Sequence, residues 1–175
     1  MKEQQKYIQQ VIGLLLYYGQ AVNSTHLVAL SLLALAQSPP TEHTLELIKK
    51  LLKYASSNPD VILMCKSSDM ILAMHSNTSY LSKANARSQV GGHFFCSNDV
   101  DDPPSNGAIL NIPKILKAIM SSAAKAKLGA LYINACKAVP MHQLLINMGH
   151  KQPKTPIQTD NTTAFGVINN NFQPR

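Results

Sequence analysis

The chain has 175 residues, of which 45% are hydrophobic and 14% are charged. This composition supplies enough apolar side chains for a folded core and excludes a disordered tail. The chain has 16 Lys and Arg residues against 9 Asp and Glu residues, which gives a formal net charge of +7. A basic balance of this size permits a nucleic-acid partner, but charge by itself does not establish one.

The first part of the chain, residues 1–60, predicts helices. Apolar residues recur at helical spacing from Ile8 onward, which is typical of an amphipathic helix. A second helix, apolar nearly all round and therefore expected to be buried, follows a cap at Asn23 or Ser24. A third helix follows Thr41. We therefore expect a small helical segment over residues 1–60, without a cluster of catalytic side chains.

The second part, residues 61–175, predicts a sheet with helices packed on it. Two adjacent glycines, Gly91 and Gly92, indicate a bulge or a point of close approach within one strand. The expected strands cover residues 61–65, 70–75, 90–96, 108–112 and 155–159. The resulting order, strands first and then alternating helix and strand, predicts an α/β fold of the mixed α+β kind.

Two helices are expected in this second part. A long helix begins at Ser121 or Ser122 and is divided or kinked at Pro140, because proline lacks a backbone N–H. A short final helix opens at Asp160 and Asn161. The chain is thus expected to form two domains, one of helices alone and one built on a mixed sheet.

The cysteines and the hydropathy pattern bear on the compartment. The three cysteines, Cys65, Cys96 and Cys136, include no pair with C-x-x-C spacing, which argues against a disulfide framework and a structural zinc site. The longest apolar stretch, residues 27–36, is far shorter than the roughly 20 residues of a membrane span. The first residues are too polar for a secretory signal. We expect an intracellular protein, cytoplasmic or nuclear, with no membrane partner.

Few residues have a spacing that indicates chemistry. Asp160 follows a short strand and precedes a helix, so it can reach into a crevice at the strand's end or cap the helix, and the spacing favours the cap. The acidic residues within 99–102 lack the glycine and distal glutamate of an EF-hand loop and predict a solvated turn. The 6 histidines form no metal-binding pattern, and no glycine-rich phosphate loop is present.

Four stretches of the second part stand out: HSNTSY (75–80), ARSQVGGHFF (86–95), MSSAAKAKLGAL (120–131) and PIQTDNTTA (156–164). In this order they resemble the ribonuclease H domain of copia-type long-terminal-repeat retrotransposon polyproteins. In the first part, IGLLLYY (12–18) and IKKLLKY (48–54) resemble the segment that connects reverse transcriptase to ribonuclease H. The resemblance implies a ribonuclease H-like mixed sheet over residues 61–175 that lacks its last strand and helix, preceded by a connection segment over residues 1–60.

The resemblance implies hydrolysis of the RNA strand of an RNA–DNA hybrid. Two divalent ions, Mg²⁺ or Mn²⁺, about 4 Å apart activate water and stabilise the leaving oxygen in such reactions, and carboxylate oxygens hold them. Here Asn77 replaces the family's first-strand acid, and Lys127 replaces its helix glutamate. Asp160 retains the third acid and is the metal ligand that the resemblance implies. The fourth acid would lie beyond Arg175.

These departures predict a degenerate domain without hydrolytic activity. Like charges about 4 Å apart repel by about 4 kcal/mol at an effective dielectric constant of about 20, so the cation of Lys127 opposes metal binding. We expect that the family's Mg²⁺ is not bound productively here. The expected partners are an RNA–DNA hybrid or other nucleic acid, bound weakly and without sequence specificity, and the rest of a reverse transcriptase in the parent polyprotein.

Two other functions stay open from the sequence. A residually active ribonuclease H would need unexpected ligands, such as Asp69 together with Asp160. A protein-interaction or oligomerising module would use the apolar helices of residues 1–60. Without the rest of a reverse transcriptase, those helices are expected to leave apolar surface exposed.

Overall fold

A computed structural model describes residues 2–37 and 39–169 of the chain. The chain divides between Leu63 and Met64 into two compact units. It combines helices with a mixed four-stranded sheet, which confirms the α/β mixed fold class that the sequence predicts. None of the helices in the described residues has the length and hydrophobicity needed to traverse a lipid bilayer.

The first unit is helical, and its helix ends follow the capping residues of the sequence. Its α-helices are α1 (Lys2–Ala21), α2 (Leu27–Leu35) and α3 (Glu42–Ser57). Asn23 accepts a hydrogen bond from the backbone N–H of Thr25 at 3.1 Å and thereby caps a 3₁₀ turn that leads into α2. The Thr41 hydroxyl accepts from the N–H of Thr44 at 3.2 Å, and the Thr44 hydroxyl accepts in return, which forms a capping box at the start of α3.

The core of this unit is built from the apolar stripes of all three helices. Its buried members are Ile8, Ile12, Leu15, Leu30, Leu33, Ile48 and Leu51. Helix α2 contributes only one face to this core, and Val28 and Leu35 on its other side are exposed. The expectation that α2 is buried against other elements is met on this one face, where Leu30 and Leu33 pack in the core with α1 and α3.

The second unit carries the sheet. Its elements are β1 (Ile71–Lys83), β2 (Arg87–Ser97), β3 (Ala108–Ile115), α4 (Ala123–Asn147), β4 (Ile157–Gln158) and α5 (Thr162–Ile168). The strand order is β3-β2-β1-β4. The three long strands run antiparallel to their neighbours, and the short β4 pairs with β1 in parallel, which makes the sheet mixed.

Helix α4 packs on one face of the sheet. Ser122 caps it by accepting a hydrogen bond from the backbone N–H of Lys125 at 3.2 Å, as the sequence predicts for Ser121 or Ser122. One core cluster joins Leu72, Met74, Phe94 and Cys96 of β1 and β2 to Ala138 and Leu145 of α4. A second cluster contains Val90, Leu116, Ala126 and Ala130. The alanines let the helix approach the strands closely, because they keep the separating side chains small.

Two strand predictions need correction. Residues 58–70 contain neither helix nor strand, so the strand expected at residues 61–65 was wrong. That run is apolar, but Ile62 is 81% exposed, and an apolar run without a neighbouring backbone ladder does not form a strand. Strand β1 extends to Lys83, well beyond the predicted end at residue 75, because it stays paired with β2 through Ser79 and Gln89.

The structure also corrects two predicted irregularities, a division of α4 at Pro140 and a bulge at Gly91 and Gly92. Pro140 does not divide α4, which is continuous from Ala123 to Asn147. The ladder between β1 and β2 is regular across Gly91 and Gly92, so the predicted bulge was wrong there. The alternative, a point of close approach, is confirmed: a Cβ atom on Gly92 would lie 2.5 Å from Oδ1 of Asn134 on α4.

Candidate functional site

The candidate site lies beside the middle of β1, near the start of α4 and the segment after β4. Strand β4 pairs in parallel with β1, with Met74 opposite Ile157 and His75 opposite Gln158. Asn77 lies two residues beyond His75 on β1, and Asp160 lies two residues beyond Gln158, after β4. Because parallel neighbours advance in the same direction, the topology brings both positions to the same level along β1.

Lys127 and Asp160 form an ion pair at this site. The Lys127 ammonium, on the second turn of α4, donates a hydrogen bond to Oδ1 of Asp160 across 33 positions of sequence. The Lys127 side chain is 15% exposed and the Asp160 side chain is 60% exposed, so the lysine is largely buried and the carboxylate lies at the surface. The sequence places these residues far apart, and only the packing of α4 beside β4 joins them.

The ion pair holds Asp160 in its charged form. The hydrogen bond from Lys127 lowers the pKa of the Asp160 carboxyl, burial opposes this in part, and the positive charge of Lys127 adds to the lowering. At neutral pH the carboxylate is therefore ionised and already compensated by a protein cation. Asp160 does not cap the following helix: Asn161 does, by accepting from the backbone N–H of Ala164 at 2.7 Å. The prediction that Asp160 is the cap was wrong.

Asn77 is exposed and lies on the other face of β1. The neighbouring Thr78 points toward α4, where its hydroxyl donates to the carbonyl oxygen of Ala126 at 3.4 Å. Successive side chains of a strand point to opposite faces, so Asn77 faces away from the helix. Its carboxamide oxygen accepts from the backbone N–H of Thr78 at 2.6 Å. Among the described contacts, the structure joins Lys127 to Asp160 and joins Asn77 to neither.

The residues at this site do not fit a pair of divalent ions. Two such ions need several carboxylate oxygens, and the carboxylate present here already binds an ammonium group. Asn77 offers one neutral amide oxygen, which is engaged with its own backbone neighbour. Over residues 2–37 and 39–169, no group of three or more His, Cys, Asp or Glu side chains has the proximity needed to hold a metal ion.

Asp69, the alternative second acid, lies just before the first residue of β1, away from Asp160. Its carboxylate accepts from the backbone N–H of Asp99 at 3.1 Å, and its own N–H donates to Asn98 at 3.3 Å, both just beyond the end of β2. Because Asp69 precedes the first residue of β1 and Asp160 lies level with the middle of that strand, the two carboxylates cannot share one ion. The carboxylate of Asp69 is thus engaged with the turn that contains Asp99.

Buried hydrogen bonds from the side-chain amide of Asn134 join α4 to the sheet. Asn134 is fully buried, and its Nδ2 donates to Oγ of Ser76 at 2.8 Å and to the carbonyl oxygen of Gly91 at 3.0 Å. Sequence reasoning missed this residue. The available signal was its place in the stripe of Ala126, Ala130 and Ala138, which recurs every four residues along the packed face of α4.

Two histidines also come together, on the sheet face opposite α4. His75 and His93 are directly opposed in the antiparallel ladder, with ring centroids 5.9 Å apart. Nδ1 of His93 lies 2.9 Å from Oδ1 of Asn111, and Nε2 lies 3.2 Å from the carbonyl oxygen of Asn106. Two of the 6 histidines thus form a cross-strand pair, in which hydrogen bonds from the adjoining strand and loop hold His93.

Comparison with known proteins does not identify a family. No family model, no curated protein and no solved structure matches this chain.

Proposed function

We propose that the second unit is a degenerate ribonuclease H-like domain of retrotransposon origin, without hydrolytic activity and with weak, non-specific affinity for nucleic acid. The observation that carries the proposal is the ion pair between Lys127 and Asp160. It places a protein cation on the carboxylate that the resemblance assigns to metal binding. The order of the resembling motifs along β1, β2, α4 and β4 supports the same origin.

The ion pair opposes metal binding for an electrostatic reason. A metal ion that approaches the Asp160 carboxylate must displace the Lys127 ammonium or bind beside it. At about 4 Å the repulsion is about 4 kcal/mol for each unit charge of the ion, at an effective dielectric constant of about 20. A divalent ion would therefore have to compete with the Lys127 ammonium for a single carboxylate, whereas a two-metal site needs several carboxylates, which the described residues here do not supply.

The charge balance supports residual binding of nucleic acid. Residues 61–175 contain eleven basic and five acidic residues, a net charge of +6. Contacts between Lys or Arg and phosphates do not read sequence, and they weaken steeply as the salt concentration rises. In the family the ligand is an RNA–DNA hybrid, and we propose that this chain retains only the electrostatic part of that affinity.

A cleavage assay with charge-matched variants tests the proposal. The purified chain is incubated with a labelled RNA–DNA hybrid in Mg²⁺ or Mn²⁺, and no cleavage is expected. In parallel, Mn²⁺ binding is measured by calorimetry for the wild type, Lys127→Glu and Lys125→Glu. Lys125→Glu is the control, because it makes the same charge change two positions away on the exposed face of α4. Only Lys127→Glu, which adds a carboxylate beside Asp160, is expected to gain Mn²⁺ affinity.

Two results would contradict the proposal. Metal-dependent cleavage by the wild type, abolished by Asp160→Ala, would show a residually active enzyme in which Asp160 acts together with other residues that replace the missing acids. Equal gains in Mn²⁺ affinity for Lys127→Glu and Lys125→Glu would show that net charge, not the geometry at Asp160, controls metal binding.

A second candidate function has an observation of its own. Helix α1 exposes large apolar side chains, with Leu14 at 74% and Tyr17 at 77%. Exposed apolar surface on a helix is typical of protein–protein interfaces. We propose as the alternative an oligomerising module, which predicts a concentration-dependent mass in analytical ultracentrifugation that Leu14→Ser together with Tyr17→Ser abolishes. A single monomeric species at all concentrations would exclude it.

A further inference from the structure

Helix α1 carries a second row of side chains on the face opposite its core face. The buried residues of α1 all lie on one side of the helix: Ile8, Ile12, Leu15 and Gly19. The exposed side holds a row in which the spacing alternates between three and four residues: Tyr7, Gln10, Leu14, Tyr17 and Ala21. This alternation is the heptad spacing by which two helices pack along a common seam. The row therefore suits a helix partner, whereas the core of the first unit does not use it.

The row and the chain that follows it are uncharged. Residues 7–41 contain no Asp, Glu, Lys or Arg. A charged partner surface would lose hydration against this row without gaining an ion pair, which costs free energy. The partner must therefore offer a neutral row of large apolar side chains at the same heptad spacing. A second copy of α1 meets both conditions, since two-fold pairing places the same surface on both partners.

The charges at the start of α1 decide the direction of the pair. Lys2, Glu3 and Lys6 lie within its first two turns, and Glu3 continues the heptad row. In a parallel pair the two Glu3 carboxylates would face each other across the seam, where like charges repel. In an antiparallel pair Glu3 lies opposite Ala21. The net positive charge of this end then lies beside the partner's C-terminal carbonyl groups, where the helix dipole is negative. The charges favour the antiparallel direction.

We propose that two copies of this chain pair antiparallel through α1, about a two-fold axis level with Ile12. The pairing rests on the oligomerising function proposed as the alternative, and it specifies the partner and the geometry. Tyr7 of each copy then lies level with Tyr17 of the other, and Leu14 lies level with Gln10. The two Gln10 side chains lie about 6 Å apart along the helix axis, so their amides can hydrogen-bond to each other. A seam one helix wide is a small interface of the kind found in weak, transient complexes, so the pair should dissociate on dilution.

Disulfide cross-linking between single-cysteine variants tests the pairing. In the full chain, the exposed Cys65 and Cys136 are first replaced by serine. Tyr7→Cys and Tyr17→Cys are then purified separately in this background, mixed and oxidised. The mixture should form a covalent dimer at least about ten-fold faster than either variant alone. The reason is that the two copies of residue 7, like those of residue 17, lie about 15 Å apart along the axis, whereas a disulfide needs Cα atoms within about 7 Å.

A matched control and a mass measurement complete the test. Gln9 is exposed on the same helix but lies outside the heptad row. Gln9→Cys mixed with Tyr17→Cys should therefore cross-link no faster than Tyr17→Cys alone. Analytical ultracentrifugation of the unmodified chain should show a mass that rises with concentration from one copy to two.

Three results would overturn the pairing. Faster cross-linking of Tyr7→Cys with itself than with Tyr17→Cys would show a parallel pair. A mass that rises with concentration without the expected cross-link would show oligomerisation through another surface, and the oligomerising function would stand without this geometry. A single copy at every concentration would overturn both, and would assign the row to a partner other than a second copy.

Discussion

The close contact between Gly92 and Asn134 gives a prediction that the structure makes quantitative. A methyl group at residue 92 would place its Cβ 2.5 Å from Oδ1 of Asn134 and 3.0 Å from a ring carbon of Phe94. Both neighbours are fully buried, so neither can turn into solvent. Gly92→Ala should therefore force the amide of Asn134 away from Ser76 and from the carbonyl of Gly91, the two groups to which it donates hydrogen bonds.

The expected cost follows from these contacts. Two buried hydrogen bonds contribute about 1 kcal/mol each, and overpacking adds about 1 kcal/mol. The loss of backbone freedom in the unfolded chain offsets about 0.5 kcal/mol. Gly92→Ala should thus lower the free energy of unfolding by about 2 to 3 kcal/mol. Gly91→Ala is the matched control in the same strand, since the nearest atom to its Cβ, the carbonyl oxygen of Asn77, is at 3.8 Å.

A double-mutant cycle separates this contact from a general effect on the strand. Asn134→Ala alone should cost about 2 kcal/mol, because it leaves the hydroxyl of Ser76 buried without its donor. In the Asn134→Ala background, Gly92→Ala should lower the free energy of unfolding by less than about 1 kcal/mol, because Oδ1 of Asn134, which the new methyl group would contact, is absent. The coupling should therefore be about 2 kcal/mol. Urea unfolding followed by circular dichroism measures all four proteins, and additive effects would refute the reasoning.

Three further predictions concern other parts of the chain. The pKa of Asp160 is lowered in the folded state, so its contribution to stability is present above its unfolded pKa of about 3.9 and is lost as pH falls through the folded value. Lys127→Met should accordingly be less stable than wild type by less than about 1 kcal/mol at neutral pH, with the gap closing in acid and in high salt, as followed by urea titration. Thr41→Ala should cost about 1 kcal/mol in the unfolding of helix α3 through loss of its capping box, whereas Thr41→Ser should restore most of it. Burial raises the pKa of the Cys96 thiol, with a further contribution from Cys65, so a thiol reagent should modify Cys96 more slowly than the other two cysteines, and equal rates for all three would contradict its burial.

Local signals predicted most helices and the centres of the long strands. Thr41 marks the start of α3 and Ser122 that of α4, because capping depends on residues that are adjacent in sequence. Elements that depend on a distant partner were predicted less well. The apolar run at residues 61–65 has no neighbouring strand, whereas the polar second half of β1 is held in place by β2. Pairing with a neighbouring strand decides whether each of these two segments is a strand, and the periodicity within one segment does not show whether such a neighbour exists.

The sequence alone determined which residues are present at the candidate site: Asn77 and Lys127 where the resembling family has acids, and Asp160 where it has one. Tertiary structure decided how they relate. It set Lys127 on the carboxylate of Asp160 and turned Asn77 to the face away from α4. These relations join segments far apart in the chain, and they follow from how α4, β1 and β4 pack, which the spacing of residues within any one segment does not encode.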